Sequence, residues 1–188
     1  MTEPRLLFMA LPPPEVRDAL LRAVRINRLD TRLGRAMFAP ANWHQTLSDR
    51  YPDTAEMRAR MLRAGARVAA HACTLTFNRL RDQRHGETWD WTFKARGRPQ
   101  GFDALLAAIA AALAAEGVET ATGHTPHLTV SYWAPEPLGP SAMADIHWTL
   151  TDIRLVVGGG QPYQYTALGQ WPLQPPPADP KTMQLSLF

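Results

Sequence analysis

Two alternating apolar–polar segments, Cys73–Leu80 (CTLTFNRL) and Thr88–Ala95 (TWDWTFKA), flank a break at Gly86. Period-two alternation on either side of a glycine turn predicts a β-hairpin, which commits the chain to an antiparallel sheet with one buried face. The rest of the chain falls around it. Arg5–Leu11 (RLLFMAL) is a compact apolar run stopped by Pro12, Pro13 and Pro14, as a buried strand would be. From Pro14, the residues Val16, Leu20, Leu21 and Val24 recur at helical spacing. Trp43–Arg50 (WHQTLSDR) reads as a strand. Thr54 caps an arginine-rich helix running to about Ala70, and Phe102–Glu116 is an alanine-rich helix ended by Gly117. His127–Trp133, His147–Leu150, Ile153–Val157 and Gln164–Trp171 read as further strands. The order β α β α β β α β β β β predicts an α+β protein with antiparallel sheets.

At 188 residues this is one domain or two small lobes sharing a core, at roughly 100–200 residues per domain. Cys73 is the only cysteine, so neither an intrachain disulfide nor a cysteine-based zinc site can form. The longest apolar stretch, Ala104–Ala115, has 12 residues against the roughly 20 that cross a bilayer. The opening MTEPRLLFMALPPPE lacks signal-peptide grammar. A cytoplasmic, water-soluble chain is the expectation.

Charge is unevenly spread. Residues 1–98 carry 18 basic and 10 acidic side chains, residues 99–188 carry 2 and 7, and 18 of the 20 basic residues are arginine. A basic, arginine-rich first half suits a phosphorylated or nucleic-acid partner. Much of the excess is assigned to Arg58, Arg60, Arg63 and Arg67 on the 54–70 helix, where solvated arginines are the plainer reading.

One pattern occurs twice. His44-Gln45-Thr46-Leu47 and His127-Leu128-Thr129-Val130 are both His-x-Thr plus an apolar residue, on predicted strands 83 positions apart. Residues i and i+2 of a strand share a face, so each histidine lies beside its threonine. The first face is expected to continue with Ser48 and Arg50, the second with Ser131 and Trp133. Two such strands suit a cleft between two pseudo-symmetric lobes. Opening a cyclic phosphodiester needs one group to take a proton from water and another to protonate the departing oxygen. Histidine, with an ordinary pKa of about 6.5, can do either, and threonine hydroxyls can donate to the phosphate oxygens. No metal is needed. His71, His85, His124 and His147 show no metal-ligand spacing, so no metal or cofactor is expected.

With these motifs the chain, over residues 5 to about 173, resembles the two-histidine (2H) phosphoesterase superfamily in its LigT-like branch, the RNA 2′,3′-cyclic phosphodiesterases also called 2′–5′ RNA ligases. The resemblance is carried by RLLFMALPPPEVRDAL, by Pro40-Ala41-Asn42-Trp43-His44-Gln45-Thr46-Leu47 and by Pro126-His127-Leu128-Thr129-Val130. The closing pair Ile153–Val157 and Pro162-Tyr163 to Trp171-Pro172-Leu173 adds to it. It implies two lobes of antiparallel sheet with helices packed outside and a central cleft. It also implies His44 as proton donor, His127 as proton acceptor, and Thr46 and Thr129 on the phosphate. RNA 3′ ends or small cyclic nucleotides would be opened to a 2′-phosphate. The resemblance also leaves room for a ligase activity in the reverse direction, which the sequence does not decide.

This chain departs from the family in places. The residue between His and Thr, usually apolar, is Gln45, whose amide faces solvent or has a buried partner. The second motif often runs on to an arginine, where this chain has Ser131-Tyr132-Trp133. Arg50 is the candidate to supply that charge, and Trp133 reads as core ahead of a base-stacking residue. These departures keep a second reading open, a tethered RNA-end or nucleotide-binding module with little catalysis.

Residues 1–173 are read as the phosphoesterase domain and 174–188 as a proline-rich linker with a terminal peptide. Gln184-Leu185-Ser186-Leu187-Phe188 is similar to the pentapeptide by which bacterial polymerases and repair proteins bind the sliding clamp. The resemblance implies recruitment of the chain to such a clamp, with Leu187 and Phe188 as apolar anchors. A tail folded back on its own domain is the other reading.

Overall fold

The computed structural model describes residues 3–176; the clamp-like peptide 184–188 lies outside the described residues. The elements are β1 (Arg5–Ala10), α1 (Pro14–Ile26), α2 (Leu29–Leu33), β2 (Gln45–Thr46), β3 (Tyr51–Pro52), α3 (Ala55–Arg67), β4 (Cys73–His85), β5 (Thr88–Ala95), α4 (Gln100–Ala114), β6 (His127–Ala134), β7 (Ile146–Leu150), β8 (Asp152–Gly159) and β9 (Gln164–Pro172). They form two antiparallel sheets. One has the order β2-β1-β8-β9, with β3 also on β1, and the other β6-β5-β4-β7. The α+β architecture with two sheets is the one expected. The lobes are not successive halves of the chain. After β4–β7 complete the second sheet, β8 returns to pair with β1, so the chain's beginning and end build one lobe and its middle the other.

Local chemistry explains the elements. β1 sits centrally, and Leu6, Leu7, Phe8, Met9 and Ala10 are all buried, as a strand covered on both faces requires. In α4, Phe102, Leu105, Leu106, Ile109 and Leu113 are buried, each aliphatic side chain worth roughly 1.5–3 kcal/mol against exposure. Thr54 accepts the Met57 amide proton at 3.1 Å and caps α3. That helix docks on β9 through one indole. A Cβ on either Gly65 or Gly169 would run into the Trp171 ring, so both positions must be glycine for the helix and strand to close.

The structure corrects several expectations. Of Trp43–Arg50 only Gln45–Thr46 is a strand, pairing Ala10↔Gln45 and Met9↔Thr46. The ladder ends because the Ser48 hydroxyl, fully buried, accepts the Phe8 amide proton at 2.8 Å where a backbone carbonyl would have been. Ser48 therefore does not continue the His44 face. Pro40–Asn42 is a turn of 3-10 helix leading into the motif, and α2 escaped the periodicity because it has only five residues. In β6 the register against β5 shifts twice, between Trp91 and Thr92 and between Trp89 and Trp91. Each bulge inserts one residue and turns the strand. Ser131 is thereby buried, while Tyr132 and Trp133 are 38% and 59% exposed. Trp133 is not a core residue, and the face of His127 and Thr129 does not run on through Ser131.

The arginines of α3 also differ from expectation. Arg58 pairs with Asp53, Arg60 with Glu56, and Arg63 and Arg67 both with Glu116. Beyond β9 the chain stays tied to the body. The Gln174 carbonyl accepts from the Ala72 amide at 2.8 Å, and the Gln174 amide donates to Ala70 at 2.9 Å. No helix among the described residues is long and apolar enough to cross a membrane.

Candidate active site

His44 follows the 3-10 turn, and its Nδ1 lies 2.7 Å from the Asn42 carbonyl oxygen. A carbonyl only accepts, so Nδ1 carries a proton and the lone pair of the neutral ring is on Nε2. Asn42 is held in turn, its amide donating to the Tyr163 carbonyl at 2.9 Å. Tyr165 stands edge-on to the His44 ring at 4.9 Å, and Tyr163 packs against Tyr165 at 5.4 Å. Both tyrosines lie over Gly158 of β8, where a Cβ would collide with the Tyr163 hydroxyl and come within 2.8 Å of the Tyr165 ring. The bare backbone there admits the aromatic wall beside His44.

His127 repeats the arrangement on the other sheet. Its Nδ1 lies 2.8 Å from the carbonyl of Thr125, again two residues upstream, and so is likewise protonated with Nε2 free. In the β5–β6 ladder His127 pairs with Lys94 and Thr129 with Thr92. Thr46 and Thr129 are both half-buried, one residue beyond a side chain turned the other way.

Gln45 joins the two motifs. It is fully buried, and its Oε1 accepts the His127 backbone amide proton at 2.8 Å. Its Nε2 donates to the Thr46 carbonyl at 2.8 Å and, at 3.4 Å, to the Thr125 carbonyl that also holds the His127 ring. The departure from an apolar residue thus has a buried partner, and the amide bridges the first His-x-Thr to the backbone of the second.

Burial is the main influence on both rings. It pushes the His44 pKa down to about 4; the nearby charges of Arg50 and His127 push the same way, and the Asn42 carbonyl opposes. His127 is also held below its ordinary value, chiefly by burial, with Lys94 and His124 adding to the effect and the Thr125 carbonyl opposing. The two histidines are therefore close enough for a proton on one to disfavour a proton on the other. Arg50 is exposed, and its charge reaches both His44 and Tyr165. Burial raises the Tyr165 phenol well above its ordinary value, so it stays neutral. Among the described residues no three His, Cys, Asp or Glu side chains are grouped to hold a metal ion.

Lys94, Gln45 in its bridging role, and the Tyr163–Tyr165 wall are additions from the structure. Lys94 left a trace in the sequence as the single lysine of residues 1–98 among 17 arginines, at the polar end of an alternating strand. A cavity of about 300 Å³ lined by Pro12, Pro13, Arg17, Trp148 and Asp152 contains neither motif.

No protein-family model and no curated protein matches the chain. Solved structures do. A protein crystallised as a phosphoesterase superposes with a TM-score of 0.72 at 23% identity, over 92% of this chain and 99% of that one. The apo form of E. coli LigT gives 0.70 at 23% identity over the same shares, and LigT has also been crystallised with NADP+, phosphate, 3′-AMP and ATP. A Thermus thermophilus protein, TT0787, gives 0.66 at 21% identity over 91% and 98%. Two antiparallel sheets, each presenting one of the paired histidines, give this chain the LigT-like 2H phosphoesterase fold.

Proposed function

We propose that the chain is a metal-independent phosphoesterase that opens 2′,3′-cyclic phosphates at RNA ends or in small nucleotides to 2′-phosphates. The observation that carries this reading is the matched pair of histidines, each with Nδ1 tied to the carbonyl two residues upstream and Nε2 free. In the reaction, His127 Nε2 takes a proton from a water whose oxygen bonds to phosphorus. The bond from phosphorus to the 3′-oxygen breaks, and His44, acting in its doubly protonated form, delivers the Nε2 proton to that oxygen. Thr46 and Thr129 donate to the phosphate oxygens, and Arg50 supplies positive charge in the absence of the family's usual arginine. The ligands with which LigT was crystallised all carry phosphate, which supports a phosphate site in this fold.

The test is turnover of a 2′,3′-cyclic mononucleotide and of a short oligoribonucleotide with the same end, with and without chelator. Release of the 2′-phosphate product unaffected by chelator is expected. Binding without turnover would favour the tethered binding module, and a metal requirement would overturn the mechanism.

We also propose that Gln184-Leu185-Ser186-Leu187-Phe188 recruits the enzyme to a bacterial sliding clamp. The full chain should bind the clamp and a chain ending at Pro180 should not, with turnover equal in both. No binding by the full chain would end this part of the proposal.

A further inference from the structure

Several basic side chains of the described residues have no carboxylate partner, and three of them stand in register with the second histidine motif. While the arginines of α3 are consumed in ion pairs, Lys94, Arg79 and Arg81 have no carboxylate within ion-pair distance among the described residues. The β4–β5–β6 register puts these cations in line with the second histidine. Arg79 pairs with Lys94, and Lys94 with His127; in the adjoining row Arg81 pairs with Thr92, and Thr92 with Thr129. Leu80, Phe93 and Leu128, the row between, are buried. Strand alternation therefore turns Arg79, Arg81, Lys94, Thr92, Thr129 and His127 to the opposite face. With neighbouring strands about 4.8 Å apart, Lys94 stands about 5 Å and Arg79 about 10 Å across the sheet from His127 at the backbone, and Arg81 about 6.8 Å along the strand from Arg79. Asp90 lies further along the hairpin, 3.9 Å from His85, and Asp145, past the other end of these strands, is taken up by Arg96. Lys94 is half-buried between Arg79 and His127, where burial and the Arg79 charge both lower its pKa. Three unneutralised cations on the sheet face that carries His127 and Thr129 make an anion track.

We propose that Lys94, Arg79 and Arg81 bind the backbone phosphates of a single-stranded oligonucleotide whose 3′ end lies between His44 and His127. The inference rests on the proposed phosphoesterase site and names which of its substrates that site is shaped for, an RNA end over a free cyclic nucleotide. Arginine suits the task because its planar fork grips phosphate oxygens bidentately. Tyr132 and Trp133, exposed on β6 beyond Thr129, offer faces on which bases stack.

The test compares wild type with an Arg79→Gln/Arg81→Gln double variant, whose changes fall on exposed side chains. The readout is kcat/KM for an oligoribonucleotide ending in a 2′,3′-cyclic phosphate relative to the cyclic mononucleotide, from roughly 50 to 200 mM salt. Wild type should prefer the oligonucleotide, with a preference that falls as salt rises. The double variant should lose about tenfold or more of that preference. Its salt slope should be shallower by about 1.4, from about 0.7 per phosphate contact on a single strand. An unchanged ratio and slope would overturn the track. If wild type turns over neither substrate, the phosphoesterase reading fails by itself. Equilibrium binding of a fluorescent oligoribonucleotide with a 3′-phosphate then decides the track, with the same loss expected in the double variant and equal binding overturning it.

Discussion

The two His-x-Thr segments present the same chemistry on unlike scaffolds. His127 opens an eight-residue strand at the edge of a four-stranded sheet, and its neighbours are set by the ladder with β5. His44 precedes a strand of two residues, and its surroundings are set by individual polar contacts: Asn42 to Tyr163, Ser48 to Phe8, and Gln45 to the His127 amide. One motif is held by backbone periodicity and the other by specific side chains. The second should therefore tolerate change around it, and the first should depend on a few named residues. The electrostatics differ too. Lys94 and the arginine row approach His127, while Arg50 and the tyrosine wall enclose His44.

The sharpest way to break the pairing is to remove either ring. His44→Ala and His127→Ala should each lower kcat about 10²–10⁴-fold, the usual range for a general acid or base. The double variant should lose little more than either single one, because the two act as a unit. A His127→Ala enzyme with near-normal turnover would show that the likeness between the motifs is structural alone.

The next effect separates the rings by their pKa values. The donor has its proton only in a minor fraction of molecules at neutral pH, because His44 titrates at about 4 when free. The acceptor, His127, is displaced in the same direction. The plateau of kcat/KM should lie below pH 6.5, falling on the alkaline side as His44 loses its proton and on the acid side as His127 gains one. Stability carries the same sign. Between pH 6.5 and 4 the unfolded chain binds a proton at residue 44 that the folded chain resists. The stabilisation from neutral His44 is thus complete above 6.5 and lost as pH falls toward 4, roughly 3 kcal/mol in all. Denaturant unfolding of wild type and His44→Gln across this range should show a smaller acid loss in the variant. Equal losses would mean that the ring is better solvated than its packing indicates.

Much of this arrangement was legible in the sequence, and what was not had physical reasons. The repeated His-x-Thr singled out both segments because side-chain alternation is a local property, written in residues two apart. The hairpin and α4 were readable for the same reason. Lys94 beside His127 was not, since that neighbour depends on the β5–β6 register, which pairs residues about 33 positions apart across an intervening helix. Further along β6, its two bulges took Ser131 off the histidine face and put Trp133 in solvent. The neutralisation of Arg63 and Arg67 was equally hidden, because their partner Glu116 is about 50 residues away in sequence, at the end of another helix. Gln45 stood out as a departure, but only the approach of the two sheets shows what its amide meets.

Gln45 gives a test of the claim that the first motif rests on specific contacts. Gln45→Leu keeps the volume but leaves the His127 amide proton without its acceptor, a loss of about 1–3 kcal/mol in stability. Ser48→Ala leaves the Phe8 amide proton unpaired in the same lobe and should cost a similar amount. Only the Gln45 change should also lower kcat, by about tenfold with KM little altered, because it alone loosens one motif from the other. Equal kcat values in the two variants would reduce Gln45 to a packing residue.

The smallest expected effect tests the contrast between neutralised and free arginines. Arg60 pairs with Glu56 one helical turn away, and the glutamate is largely exposed. Such pairs contribute about 0.3–0.5 kcal/mol, reduced further by salt. Arg60→Gln should therefore shift the unfolding free energy by no more than that. It should also leave both the oligonucleotide preference and its salt slope at wild-type values, since a charge already matched by a carboxylate adds little to the field at the cleft. The Arg79→Gln/Arg81→Gln protein serves as the contrast, measured on the same substrates at the same salts. If Arg60→Gln erodes the preference as strongly, RNA is drawn by the overall charge of the first half of the chain, and the sheet face has no special claim on it.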